Sequence, residues 1–424
     1  MPTTRTDYDP LDVSTLAFWA QSADDREKVF AELRRSRPVS WQAPVQSMLM
    51  PDPDDPGFWA ITRHADIRRI SRDHEVFSSS AEEYGGVMLD LMPPDVLEAT
   101  SSILMMDNPR HGLIRRLISS AFTPRRIALI EDQIARQAKQ IVDDLLAGPG
   151  EVDFVRAVAS RLPMWTVSEM VGIDPEIREE VTKAANELVG WNDDEQIDVD
   201  GDNLMVMLNA MGVLHNAAFD LCERRRAQPE DDLISALLAA EVDGKKLTDE
   251  DIAAFFCLIS VAGNDTTRQT TSFAMKALCD FPDQREILVA DFDNVIGTAV
   301  DEFVRWTSPV MTFRRNARVD TEVGGQQILA GDKVVLLYPS GNRDESVFAD
   351  PYAFDVTRKD NDHVGFGGGG VHYCLGAHVA KVQLRSIFRE LLFRVPDLQV
   401  GEPEYLVSNF IHGIKRMPAT FTPA

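Results

Sequence analysis

Apolar residues recur at helical spacing through most of residues 111–300, which predicts a chain that is mainly α-helical. Pro163, Pro175, Pro229 and Pro282 punctuate this stretch, and Pro109 precedes it. A shorter helix is predicted over 24–34, ending at Arg37-Pro38, and another over 65–71. The longest candidate runs from Thr248 to Phe281. Thr248 and Asp251 have the spacing of a capping box, and Pro282 closes the far end. About 33 residues at a rise of 1.5 Å each make a helix of roughly 50 Å. Phe255, Phe256, Leu258, Ile259, Val261 and Ala262 surround this helix on all sides, so it is expected to be buried. A last helix is predicted over 377–392. Strand patterns appear at 58–62, 321–325 and 333–338, with a turn over 330–332 between the last two, and short strands follow Pro396. Residues 78–104, rich in Met, Leu and Pro, read as a long loop with broken helix, a length often tied to function. The fold class is mainly α with a small β part.

Bulk properties narrow the function classes. The 424 residues would permit two or three domains. Without a linker, repeat or low-complexity tract to divide them, one domain over 1–424 is expected. The longest nearly unbroken apolar run, 252–263, falls well short of the ~18 residues of a membrane span. The N-terminal residues are polar and read neither as a signal peptide nor as an anchor. Four scattered cysteines (222, 257, 279, 374) do not form a disulfide framework. A soluble cytoplasmic protein without a membrane anchor is expected. A net charge of −25 argues against nucleic acid or an anionic membrane as partner. Cations still cluster at Arg110, Arg115, Arg116, Arg125, Arg126, Lys381 and Arg385. They read equally as solvated helix faces or as a patch for an acidic electron donor.

The buried helix is interrupted by Gly263-Asn264-Asp265-Thr266-Thr267-Arg268. Gly, Asn, Asp and Thr are poor helix formers, and placing them in a buried helix costs several kcal/mol. One reading is a break between two helices. The other is a groove where a ligand approaches, with the Thr266 hydroxyl turned to the carbonyl of Ala262 and Asp265 beside it as a proton source.

The run from Gly365 to Gly376 reads GFGGGGVHYCLG. Its four successive glycines permit a tight turn and close approach to a flat object. Cys374 stands where helical character resumes, and a thiol at a helix N-terminus is expected to have a lowered pKa. A single thiolate cannot complete the usual four-ligand zinc site, but it can be the one axial ligand of haem iron.

This run resembles the haem-binding loop of the cytochrome P450 family, and the resemblance extends over roughly residues 55–420. It implies the P450 fold, with haem b (iron protoporphyrin IX) between a long distal helix and a proximal cysteine loop, and Cys374 as the iron ligand. One departure is that Phe366 lies eight residues before the cysteine where most members have seven. The extra glycine is similar to a subgroup of actinobacterial members. By the same resemblance, Asp265 and Thr266 are the catalytic acid–alcohol pair that supplies protons for O–O cleavage. His111, Arg115, Arg315 and His372 contact the haem propionates, with Arg314 a possible confusion for Arg315. Ala262, Phe366, Gly367 and Gly376 complete the cofactor contacts. Glu302, Arg305 and Arg358 form a structural triad that holds the cysteine loop. The remaining histidines (64, 74, 215, 363, 378, 412) are read as structural or surface residues.

Substrate residues are expected from the loop at 84–104, the helices around 185–215 and the turns at 310–312 and 410–412. They include Met88, Leu91, Met92, Leu104, Val261, Val310, Met311 and Phe410, with Leu89, Met105, Leu188, Val189 and Trp191 as further apolar candidates. Many methionines suit an adaptable apolar pocket, though each residue reads equally as plain core. The tail 408–415 and the glycine run look like actinobacterial members that hydroxylate methyl-branched lipids, sterol side chains and terpenoids. The implied activity is monooxygenation of an apolar small molecule with O2 and two electrons from an external ferredoxin and ferredoxin reductase. No G-x-G-x-x-G stands in a strand-to-helix context, so the chain does not take electrons from a nicotinamide cofactor itself. Three rivals are a peroxide-driven haem-thiolate peroxygenase, a non-enzymatic haem carrier or sensor, and a zinc or redox protein using Cys374.

Overall fold

The computed structural model describes all residues except 1–6, 47–51, 53, 93, 122–123 and 191–202, and leaves out the side chains of 95, 99, 124–127 and 203. Trp191 and the side chains of Arg125 and Arg126 thus lie outside the described residues. Helices carry most of the chain, and the described residues also form four small sheets. The expected helices appear as Ala23–Ser36, His64–Arg72, Asp249–Asp280 and Ala377–Arg394.

The helix Asp249–Asp280 organises the rest. Thr248 and Asp251 form a reciprocal capping box at its start, which satisfies two backbone groups the helix cannot pair itself. Its first turns (Ile252, Ala253, Phe255, Phe256, Cys257) belong to one apolar cluster, with residues of the helices Arg110–Ala121 and Asn203–Ala227. Its last turns (Ala274, Met275, Ala277, Leu278) belong to a second, with Phe303, Leu384, Phe388 and Leu391. The helix is unbroken across 263–268, which rejects the helix-break reading. A Cβ on Gly263 would stand 2.7 Å from the Val167 side chain. Glycine there lets this helix lie against the helix Arg161–Val171.

The main sheet has the order Val39–Gln42, Phe58–Ile61, Lys333–Leu337, Thr312–Ala317, Phe77–Ser78. This corrects the strand reading in two ways. Thr321–Val323 does not pair with the strand after the 330–332 turn; it folds back on Gln326–Ile328, with Gly324 and Gly325 at φ +56° and +80° making the tight turn glycine favours. Lys333–Leu337 pairs instead with Thr312–Ala317 and Phe58–Ile61. The two arginines of Thr312–Ala317 hid that strand. A further strand, Glu151–Asp153, interrupts the expected helical run and pairs with Pro418–Thr420.

The helix Asn203–Ala227 includes a segment, Leu204–Ala227, long and apolar enough to cross a membrane by length and composition. It packs along Arg178–Glu187 and Asp249–Asp280 and places Val206, Met207, Ala210, Met211 and Leu214 in the first apolar cluster.

The helix Phe292–Thr307 carries Glu302 and Arg305, both fully buried. Arg305 Nε and Nη2 donate to Glu302 Oε2 and Oε1, each at 2.7 Å. Arg358 Nε and Asn361 Nδ2 also donate to Oε2, at 3.2 and 3.1 Å, and the Asp355 N–H donates to Oε1 at 2.9 Å. Arg305 further donates to the carbonyls of Asn342, Pro351 and Ala353. One carboxylate thus gathers the segment 342–361 that leads into the cysteine loop. Glu302→Gln keeps the shape but leaves two guanidinium groups under-neutralised. Breaking a buried pair typically costs about 3–5 kcal/mol, so we expect a loss of that order in chemical denaturation.

Candidate active site

A cavity lies between the helix Asp249–Asp280 and the loop 365–376. From the helix it receives Val261, Ala262, Gly263, Asp265, Thr266, Thr267 and Thr270. From the loop it receives Phe366, Gly367, His372, Cys374 and Gly376. His111, Arg115 and Arg315 close one edge. All the residues expected to bind cofactor and the acid–alcohol pair therefore face one space.

The cysteine loop is closed by its own backbone. The N–H of Cys374 donates to the Phe366 carbonyl at 3.0 Å. Gly367, Gly369 and Gly370 have φ of +94°, +92° and +77°, in the region that favours glycine. Close approach to a flat group is not the whole reason for the glycine run. A Cβ on Gly368 would stand 2.5 Å from Ser71 Oγ, and one on Gly370 2.5 Å from the Ser71 carbonyl. These glycines let the loop lie on the helix His64–Arg72.

Cys374 is exposed to the cavity, yet protein surrounds its sulfur. Burial raises its pKa, opposed by backbone N–H groups of Gly376 and Ala377 and by the Arg115 charge. The expectation that the helix N-terminus sets the thiol low is corrected: desolvation outweighs the dipole in the protein alone.

The opposite edge shows what the cavity lacks. His111 Nδ1 and Nε2 and His372 Nε2 are buried and have no protein hydrogen-bond partner. The two rings lie 4.3 Å apart. Burial foremost, then neighbouring arginines, lowers His111 to about 4 and His372 to about 2, so both are neutral. Arg315 is buried beside them and donates from Nη1 to the Arg314 carbonyl at 2.7 Å. Arg115 Nη2 donates to the Tyr373 carbonyl at 2.7 Å. Orphaned ring nitrogens beside two guanidinium groups suit a ligand with carboxylates at its edge, and haem has two. Arg314 points elsewhere: it donates to the carbonyls of Tyr84 and Gly86, which separates it from Arg315.

On the helix side, Thr266 Oγ1 donates to the Ala262 carbonyl at 2.8 Å. Asp265 is buried and its carboxylate pairs with Arg268. Burial raises its pKa, with Arg268 opposing. Its Oδ2 has no partner. Arg268 Nη1 and Asn264 Nδ2 both donate to Asn186 Oδ1, at 3.1 and 3.3 Å. Sequence reasoning missed Arg268 and Asn186. Arg268 was findable as the i+3 neighbour of Asp265; Asn186, on another helix, was not.

The substrate residues divide. Leu104, Val261, Val310 and Phe410 line the cavity, whereas Met88, Leu91, Met92 and Met311 do not. Met88 is buried in the first apolar cluster with Met92 packed against it, and Met311 joins a separate cluster with Leu89, Val335 and Leu337. Leu91 is half-buried. Leu89, Met105, Leu188 and Val189 are likewise core. The cavity is also lined by Phe255, Leu258, Ile259, Phe313, Thr166, Val167 and Met170. Phe313 carried a signal, being two residues before Arg315 on one strand face.

Most of the described basic cluster is engaged. Arg110 pairs with Asp251, Lys381 with Asp301 at 2.5 Å, and Arg116 lies 3.9 Å from Asp243. Arg385 is exposed.

Fold and site together define a haem-thiolate protein. The cytochrome P450 family profile matches residues 74–395, and the chain belongs to that family of monooxygenases, whose members bind haem b. It is 39% identical over 421 residues to a methyl-branched lipid omega-hydroxylase of Mycobacterium tuberculosis, covering 97% of this chain and 95% of the relative. It is 36% identical to a steroid C26-monooxygenase of Mycolicibacterium smegmatis, covering 100% and 96%. A solved Mycobacterium marinum cytochrome P450 in complex with pseudoionone is 54% identical and superposes with a TM-score of 0.94, covering 99% and 100%.

Gly370→Ala combines an unfavourable φ with a backbone clash. We expect the purified variant to carry several-fold less haem, read from the ratio of Soret to protein absorbance.

Proposed function

We propose that this protein hydroxylates an apolar substrate, such as a methyl-branched lipid, a sterol side chain or a terpenoid, with O2 and two electrons from an external ferredoxin and its reductase. The observation that carries this reading is one cavity with apolar walls, a lone cysteine on its loop side and the Asp265–Thr266 step on its helix side. The relatives that act on methyl-branched lipids and steroids, and the pseudoionone-bound neighbour, support the substrate class.

Cys374 would hold the iron, and His111, Arg115, Arg315 and His372 would hold the propionates. Bound haem supplies the redox chemistry that activates dioxygen. The protein supplies position and protons. Thr266, its own proton committed to Ala262, presents oxygen lone pairs to the cavity and orders water there. Asp265, with a raised pKa, retains a proton more readily than an exposed carboxyl group and releases it toward Thr266. Arg268 is partly exposed and contacts both Asp265 and Asn186, giving a polar route by which solvent replenishes that proton. Glu302, Arg305 and Arg358 keep the loop in place without touching substrate.

The carbon monoxide spectrum of the reduced protein tests the foundation. A strongly red-shifted Soret band is expected, and Cys374→Ser should abolish it. A band typical of histidine-ligated haem would sink the reading. Thr266→Ala should keep haem but divert reducing equivalents to hydrogen peroxide; unchanged product per electron would refute its role. Asp265→Asn should slow hydroxylation by about a hundredfold, the usual scale of a lost proton donor, with an enlarged solvent isotope effect in single-turnover kinetics.

A further inference from the structure

We infer that dioxygen reaches this cavity through a wall formed by Met170 and Val379, without passing the residues that would hold substrate. This rests on the monooxygenase reading above and adds a route for its second reactant.

A second cleft lies beside the active-site cavity, between the helix Pro124–Leu146 and the turns at 172–175 and 230–233. Its lining includes charged pairs: Arg178 with Glu169 at 2.5 Å, and Arg225 with Asp232. Its apolar lining includes Ile130, Met170 and Val379. Among the described residues, Met170 and Val379 line both spaces. The two are therefore separated there by single side chains. The helix Arg161–Val171 explains the position of Met170. Thr166 and Val167 face the cavity, Ser168 and Glu169 face the cleft, and Met170, one turn on from Thr166, stands at the border. Val379 comes from the other side, five residues after Cys374 in the helix Ala377–Arg394.

The chemistry of this wall selects what passes. An ion would have to leave water to cross between a thioether and an isopropyl group, which is costly. Dioxygen is small and uncharged. Methionine is unbranched with three rotatable bonds, so its rotation opens a gap without moving the backbone. On the cavity side Met170 is followed by Val167, whose side chain lies 2.7 Å from where a Cβ on Gly263 would stand. Gly263 adjoins Ala262 and lies three residues before Thr266. The route thus arrives at the helix that carries the proton-supplying step. Leu104, Val310 and Phe410 line the cavity and not the cleft, so a substrate held against them need not displace the wall.

The test is flash photolysis of the carbon monoxide complex of the reduced, haem-loaded protein, with carbon monoxide standing in for dioxygen. Met170→Trp fills the wall and should slow the bimolecular return of carbon monoxide several-fold. Met170→Ala thins the wall and should speed that return several-fold. tert-Butyl isocyanide, too bulky for a gap one side chain wide, should return to Met170→Trp at the wild-type rate. An unchanged carbon monoxide rate in Met170→Trp overturns the inference. Equal slowing of both ligands also overturns it, since the substitution then acts on the binding site and not on the route. Should Met170→Trp lose haem, Val379→Phe fills the same wall from the other helix and is read with the same two ligands. A wild-type spectrum without thiolate ligation instead removes the monooxygenase reading, so the two failures are told apart.

Discussion

The structure depends on one helix crossing two apolar clusters without breaking. Asp249–Asp280 is held at its start by Ile252–Cys257 and at its end by Ala274–Leu278. Between them it must carry Asn264, Asp265, Thr267, Gln269, Thr270, Thr271 and Ser272, all buried. Local propensity would end the helix there, but packing at both ends outweighs it. Three hydroxyls of the polar middle are then satisfied by the helix's own carbonyls, and Gln269 by a strand far along the chain. Thr270 and Thr271 donate to the carbonyls of Thr266 and Thr267 at 2.8 Å, Ser272 to that of Arg268 at 3.0 Å, and Gln269 accepts from the Ile414 N–H at 2.7 Å. Asp265 Oδ2 and Asn264 Oδ1 are left without partners. A buried atom without a partner is costly in a structural core.

The other side of the cavity solves the converse problem. A glycine-rich loop has little side-chain packing of its own, so its shape must be imposed. Glu302 does this from behind through Arg305, Arg358, Asn361 and the Asp355 N–H. The helix His64–Arg72 does it from the side by filling the space that side chains at Gly368 and Gly370 would need. The thiol remains unfavourable to ionise, because burial exceeds the help of two N–H groups and Arg115. A cation held at Cys374 would remove that conflict, since metal coordination stabilises a thiolate.

Much of this was legible in the chain because the decisive residues lie close together in sequence or at helical spacing. The capping box at Thr248, the turn of Thr266 toward Ala262, and Glu302 with Arg305 are all local relations. What stayed hidden depends on residues distant in sequence. The partner of Lys333–Leu337 is Thr312–Ala317, whose arginines mask its strand character. Gly368 and Gly370 answer to Ser71, some three hundred residues earlier. The methionines read as a pocket because composition alone cannot distinguish a pocket wall from a core.

That last distinction changes how selectivity is built. With Met88 and Met311 in the core, the apolar cavity walls come from the long helix, the strand bearing Phe313 and the turn at Phe410. The strand and turn are tied together. Thr312 Oγ1 donates to the Asn409 carbonyl at 2.9 Å, and the Met311 N–H to that of Phe410 at 2.7 Å. A wall held by backbone bonds has less freedom to reshape than a loop of flexible thioethers. Apolar side chains and committed hydroxyls line the same cavity, and the unbroken helix carries both because Val261 and Asp265 stand one turn apart on a single face.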